Sequence, residues 1–249
     1  MDLGLEGRVA IVTGAGRGLG RAAALALAGE GARVLGVARS AEQLQSLQAE
    51  APEAIAVAEC DMRDLDAVAA LPGRALEAFG GLDVIVNNAG IAPAGSFVDQ
   101  DDELWREVFE VNVFAPVALA RAAAEHFRAQ GAGKVINIAS LSGILGKASL
   151  VAYSASKGAL LQMTKALAAE WARDGIQVNA IAPGAFETAA QAAVLEDPET
   201  MRRRLRKIPA GRMGESEEIG PLICLLASPT SNFITGAVMV ADGGESSKL

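Results

Sequence analysis

Tyr153 and Lys157 stand four residues apart in the run "VAYSASKGALLQMTKALAAEW". On a helix that spacing points both side chains from nearly the same face. A phenol titrates near pH ~10, and an adjacent ammonium favours the phenolate and lowers that value. The pair therefore predicts an acid/base that gives a proton to a carbonyl oxygen or takes one from an alcohol. The chain has one tyrosine, so no second phenol competes for the role. Ser140 closes the apolar run "KVINIAS", and its hydroxyl can donate to an oxygen on which negative charge develops. Ser142 is the nearby alternative.

Between the first apolar run and the first helical stretch lies "TGAGRGLG", Thr13 to Gly20. A strand, a glycine-rich turn and a helix leave backbone N–H groups free at the helix N-terminus, where a pyrophosphate is stabilised. Gly14, Gly18 and Gly20, with Leu19 among them, allow the tight turn and the close approach. The spacing Gly14-x-x-x-Gly18-x-Gly20 differs from the G-x-G-x-x-G dinucleotide pattern, and an adenosyl cofactor of a methyltransferase is the other occupant such a loop would take. A strand that selects NAD usually ends in Asp or Glu, which holds the ribose 2′-hydroxyl. Here the second strand ends "GVARS": Ala38 takes the acidic position and Arg39 follows it. Arg39 and Arg17 can pair with a 2′-phosphate, with Ser40 as a hydroxyl donor, so NADP(H) is favoured over NAD(H).

Positioning these groups requires alternating strands and helices, and the apolar pattern supplies them. Strands are predicted at 9–13, 33–38, 54–59, 84–87, 134–139, 177–182 and 238–240, several continuously apolar, as strands covered on both faces are. Helices are predicted at 18–30, 41–49, 64–79, 101–130, 151–174 and 216–227, with Gly31, Gly80, Gly131 and Gly175 at their ends. The order implies one α/β domain over residues 1–249, a doubly wound parallel sheet with right-handed crossovers and helices on both faces. Residues 191–208 fit the rhythm least and are predicted to form a helical substrate flap. Within it, "MRRRLRK" is a dense basic run that reads as a solvated face or as a recruiter of anionic substrate.

Composition narrows the function classes. Of 249 residues, 51% are hydrophobic and 21% charged, which suits a globular chain. A formal net charge of −8 argues against nucleic acid or an anionic membrane as partner. No apolar run is long enough to span a bilayer, and "MDLGLEGRVAIV" lacks a signal-peptide pattern, so a cytoplasmic protein is predicted. Cys60 and Cys224 have no metal-type spacing and read as buried, reduced thiols. His126, the single histidine, reads as a helix-surface residue; no zinc site and no Ser-His-Asp triad is predicted.

Taken in order, Thr13-Gly14-x-x-x-Gly18-x-Gly20, "NNAG" at 87–90, Asn112, Ser140, Tyr153-x-x-x-Lys157 and Pro183-Gly184 resemble the short-chain dehydrogenase/reductase family from about Leu5 to Gly244. The resemblance implies a single Rossmann-type domain with a seven-stranded parallel sheet, a nicotinamide cofactor and a homotetramer. It implies that Asn112 holds a water linking Lys157 to solvent as a proton relay. It places Asp61 and Met62 beside adenine, and Asn88, Ala89 and Gly90 beside the adenine ribose. Pro183, Gly184, Phe186 and Thr188 would cover the nicotinamide. The reaction implied is reversible reduction of a small-molecule ketone to a secondary alcohol. The pattern resembles the 3-oxoacyl-carrier-protein reductase branch, with a sugar, polyol or sugar-acid dehydrogenase of the same family as the alternative. A cofactor-binding regulatory protein without turnover is the alternative from another class. Leu141, Ile144, Leu145 and Phe186 suggest a partly apolar substrate site.

Overall fold

A computed structural model of the protein describes residues 2–188 and 197–247. The strands are β1 (Val9–Thr13), β2 (Arg33–Ala38), β3 (Ile55–Glu59), β4 (Val84–Asn87), β5 (Gly133–Ile138), β6 (Ile176–Pro183) and β7 (Val238–Ala241). They form one sheet in the order β3-β2-β1-β4-β5-β6-β7. Every neighbouring pair is parallel. Strand order reverses between β1 and β4, and the crevice outside the strand ends at that switch point is where doubly wound folds bind ligands.

Strand periodicity explains the double cover. Val9 and Ile11 of β1 pack into one core with Leu82, Ile85, Phe127 and Trp171. Ala10 and Val12, pointing the other way, join Leu27, Val34 and Ile223 in a second core. Helices on the two faces are α1 (Gly18–Gly29), α2 (Ala41–Glu50), α3 (Leu65–Ala69), α4 (Leu71–Phe79), α5 (Asp102–Phe109), α6 (Ala115–Gln130), α7 (Ser142–Leu145), α8 (Val151–Trp171), α9 (Pro198–Leu205) and α10 (Gly220–Ala227).

Three predicted helices are interrupted, each at a proline. Residues 64–79 divide into α3 and α4 before Pro72. Residues 216–227 begin as a 3₁₀ turn, Ser216–Ile219, before Pro221. Residues 101–130 divide into α5 and α6 around a π-helical turn, Glu110–Phe114, before Pro116. A proline has no N–H for the carbonyl four residues back and its ring crowds that carbonyl, so the helix must change pitch or restart. His126 is a further correction: it is half-buried on α6, with Nε2 enclosed, and not a surface residue. Cys60 and Cys224 are buried and unpaired.

Of the predicted flap, residues 191–196 lie outside the described residues. The remainder forms α9, capped by Asp197, whose carboxylate accepts from the Glu199 and Thr200 amides. Met201 and Leu205 seat this helix on Ala185, Ile208 and Met213.

Candidate active site

The crevice at the switch point is a cleft of about 560 Å³, within the range of small-molecule sites. Its floor begins at the turn after β1. Gly14 and Gly18 have φ of +67° and +54°, a region that side chains rarely adopt. A Cβ on Gly14 would stand 2.8 Å from the side-chain Nδ2 of Asn88. The α1 N-terminus has no side-chain cap and no acidic residue in its first turn, so its amides are left for an anion. Thr13 Oγ1 accepts from the Asn88 and Ala89 amides at 3.0 and 3.1 Å, tying the end of β1 to the turn after β4. Thr13 belongs to the glycine motif, yet this bracing role is visible only once β4 lies beside β1.

Gly14, Arg17, Gly18, Leu19, Arg39, Ser40, Asp61, Met62, Asn88, Ala89, Gly90, Tyr153, Lys157, Pro183, Gly184, Phe186 and Thr188 all line the cleft. Gly20 does not. It is buried, and a Cβ there would fall 2.2 Å from the Gly14 carbonyl oxygen, so it serves packing of the turn against α1. Thr188 reaches back over the glycine loop, where a Gly18 Cβ would meet its methyl at 3.3 Å.

At the far end of the cleft, Ala38 closes β2 and no carboxylate follows it. Arg39 and Arg17 are both exposed beside it. The Ser40 hydroxyl caps α2, accepting from the Gln43 amide at 3.3 Å, which leaves its proton available to donate. Sequence reasoning overlooked Arg63 and Glu107 here. Arg63 grips both oxygens of Asp61 and also reaches Glu107 at 3.4 Å. The Arg63 hydrogen bonds hold the Asp61 carboxyl below its usual range. Bare glycine backbone, free amides and two cations in one cleft fit a dinucleotide phosphate.

At the inner end, Tyr153 and Lys157 project together from α8. Ser140, two residues beyond β5, is hydrogen-bonded to the Tyr153 phenol. Burial pushes that phenol above its ordinary value, and the Ser140 bond pulls the other way. Lys157 is buried, its ammonium donating to the Ile138 carbonyl at 2.7 Å and lying 5.8 Å from the Tyr153 ring centre. Burial lowers the Lys157 pKa to about 8. Where the sequence predicts a phenol lowered by its lysine, the direction here is upward, because burial disfavours the phenolate. Ser142 uses its amide to donate to Ser140 Oγ at 3.1 Å, leaving Ser140 as the hydroxyl beside the phenol.

Asn112 stands behind this end of the cleft, fully buried in the π turn. Its Nδ2 donates to the Ile91 carbonyl and to Ser156 Oγ, both at 2.9 Å, and its Oδ1 accepts from the Ile91 amide. Ser156 in turn donates to the Tyr153 carbonyl at 2.8 Å. A Cβ on Gly90 would lie 3.1 Å from Asn112 Oδ1 and 3.4 Å from Lys157 Nζ, so the glycine is the gap where these two groups face the cleft. Of the expected apolar lining, Leu141 and Phe186 are buried, whereas Ile144 and Leu145 are exposed.

Comparison with known proteins agrees with this geometry. A family profile described as Enoyl-(Acyl carrier protein) reductase matches residues 14–246. Galactitol 2-dehydrogenase (L-tagatose-forming) from Cereibacter sphaeroides is 40% identical over 243 residues, spanning 96% of this chain and 95% of that protein. A 3-oxoacyl-(acyl-carrier-protein) reductase from Vibrio cholerae is 34% identical over 97% of this chain and 98% of its own. A solved structure from Beutenbergia cavernae, provisionally named an NAD(P)-dependent gluconate 5-dehydrogenase and holding NADP at low occupancy, superposes with a TM-score of 0.92. It is 37% identical and both chains are covered completely. With its sheet order, its glycine-lined crevice and these relatives in agreement, the chain belongs to the short-chain dehydrogenase/reductase family, NAD(P)-binding oxidoreductases acting on alcohol and carbonyl groups.

Proposed function

We propose that the protein is an NADP(H)-dependent dehydrogenase/reductase that interconverts a ketone and a secondary alcohol, with Tyr153 as acid/base. The observation that carries this reading is one cleft that holds Tyr153 and Lys157 at one end and presents Arg39 beyond Ala38 at the other. When bound, the nicotinamide cofactor supplies or accepts hydride. In the reducing direction Tyr153 gives its proton to the substrate oxygen. Ser140 donates a hydrogen bond to the same oxygen as charge builds there. Lys157 and Asn112 support proton return along the buried side of α8. A raised phenol pKa suits a donor: Tyr153 stays protonated at neutral pH until the substrate oxygen becomes basic.

The 2′-phosphate preference is supported by the missing carboxylate at Ala38, the exposed Arg39 and Arg17, and the NADP in the Beutenbergia cavernae structure. For substrate, a sugar, polyol or sugar acid has at least as much support as a 3-oxoacyl thioester, since galactitol 2-dehydrogenase is 40% identical and the oxoacyl reductase 34%. The reading includes α9 as a substrate flap and a homotetrameric, cytoplasmic enzyme. Nicotinamide absorbance, followed with both cofactors across ketoses, polyols, hexonates and acyl thioesters, tests it. Turnover with NADPH exceeding that with NADH supports it. Tight cofactor binding without turnover of any substrate would favour the regulatory alternative.

A further inference from the structure

A dinucleotide whose nicotinamide meets Tyr153 must lay its pyrophosphate over the glycine turn at the α1 N-terminus. Its adenosine half is then left for the opposite side of the cleft, where β2 and β3 end. The Cys60 amide donates to the Ala38 carbonyl at 3.0 Å, so the chain leaving β3 runs beside the residues that follow β2. Asp61, Met62 and Arg63 line the cleft from that chain, and Glu107 of α5 lines it too. Met62 and Val111 belong to the buried core and also reach the cleft, which supplies apolar surface.

Arg63 is held from two sides. Its Nε donates to both Asp61 oxygens at 3.1 Å, and its Nη2 donates to Oδ2 at 2.6 Å. Its Nη1 reaches Glu107 Oε1 at 3.4 Å. The Arg63 amide also donates to Asp61 Oδ1 at 3.0 Å, which ties backbone and side chain to the same carboxylate. Guanidinium donors lie in the plane of the group, so carboxylates on three of its nitrogens fix that plane and leave its two faces. The side chain is half-exposed, so those faces are open to a ligand. Two carboxylates already match the charge of Arg63, whereas Arg17 and Arg39 form no ion pair among the described residues. A phosphate is drawn to those two arginines. A pinned, weakly hydrated guanidinium face takes an aromatic ring instead.

We infer that Arg63, pinned between Asp61 and Glu107, is a stacking platform for the adenine base of the cofactor. The inference rests on the cofactor lying in this cleft. It holds whether or not Arg39 selects the 2′-phosphate, because NADPH and NADH carry the same base.

The test is fluorescence titration of NADPH, NADH and reduced nicotinamide mononucleotide, which lacks adenosine, into wild type, Arg63→Ala and Arg63→Lys. Arg63→Ala should weaken NADPH and NADH by the same factor, roughly three- to thirtyfold, and leave the mononucleotide unchanged. Arg63→Lys keeps the charge without the plane, so it should bind both dinucleotides nearly as weakly as Arg63→Ala. The loss should persist at raised salt, which screens a purely ionic contact. Surface ion pairs such as those of Arg63 contribute little to stability, so the variants keep the fold, and mononucleotide binding checks that the site is intact. Unchanged dinucleotide affinity in Arg63→Ala, full rescue by Arg63→Lys, or a loss confined to NADPH would overturn the stacking role. An equal loss of mononucleotide binding would overturn it as well, since the damage would then be general. If the binding pattern holds and no substrate is turned over, the proposed reaction fails and the role of Arg63 stands.

Discussion

Lys157 Nζ lies 5.8 Å from the centre of the Tyr153 ring, and burial raises the phenol, with Ser140 opposing. Lys157 donates to the Ile138 carbonyl, and both groups sit where burial disfavours their charged forms. The inner end of the cleft therefore holds a neutral phenol beside a lysine that loses its proton unusually easily. That electrostatic balance has consequences for stability as well as chemistry.

The first concerns pH. Lys157 titrates near 8 when folded, against about 10.4 for an unfolded lysine. Between those values the unfolded chain binds more protons, so stability rises with pH. The penalty for charging Lys157 is present in full below pH ~8 and fades as pH climbs toward ~10.4. Lys157→Met removes this term. The stability of wild type relative to the variant should therefore increase by up to about 3 kcal/mol across that window, read by urea denaturation of the cofactor-free proteins. Lys134, also lowered to about 8 by burial, and Cys224, raised to about 11, act in both proteins and cancel in the difference. A difference that is flat with pH would refute the assigned titration.

Cofactor choice is tested at the end of β2. A charge-assisted hydrogen bond contributes about 1.5–3 kcal/mol, or roughly ten- to hundredfold in affinity. Arg39→Ala should weaken NADPH by that factor and NADH much less. Ala38→Asp should repel the 2′-phosphate and offer the NADH ribose a carboxylate, moving preference toward NADH. Fluorescence titration of both cofactors into the three proteins reads the result; equal losses for the two cofactors in Arg39→Ala would contradict the role of Arg39.

Asn112 braces the site from behind. Asn112→Ala would strip partners from the Ile91 amide and carbonyl, which are partly buried, and from the fully buried Ser156. Each buried group left unpaired costs about 1–3 kcal/mol, so a loss of at least 2 kcal/mol in denaturant unfolding is expected, roughly. Activity should fall as well, because Ser156 holds the Tyr153 backbone. An Asn112→Ala protein as stable as wild type would show that this network is not under load.

The parts of the site legible in the sequence are those set by local chemistry. Glycines at Gly14 and Gly18, Ala38 closing β2 and the one-turn spacing of Tyr153 and Lys157 each have a local physical meaning, and the cleft collects all of them. Asn112 was readable as a polar residue in an apolar stretch. Its π turn was not, because the helical period of residues 101–130 runs on through Pro116, as that of residues 64–79 does through Pro72. Gly20 shares the motif of the cleft glycines, and no local signal tells that Gly14 folds back onto it. Arg63 and Glu107 meet Asp61 only after β3 and α5 come together at the cleft, a contact between distant segments with no local signature. The direction of the Tyr153 shift depended on burial, which spacing alone does not give.

The central claim is that the Tyr153 hydroxyl is the acid/base of a nicotinamide-linked oxidoreduction. Tyr153→Phe deletes that oxygen and keeps the ring that lines the cleft. The decisive measurement is turnover of this variant alongside its NADPH affinity, with chemistry as the slow step. The account predicts unchanged fold and near-normal NADPH binding, with turnover reduced by the ~10²–10⁴ of lost general acid–base catalysis. A variant that binds NADPH normally and keeps more than about a tenth of wild-type turnover would contradict it, since the acid/base would then lie elsewhere.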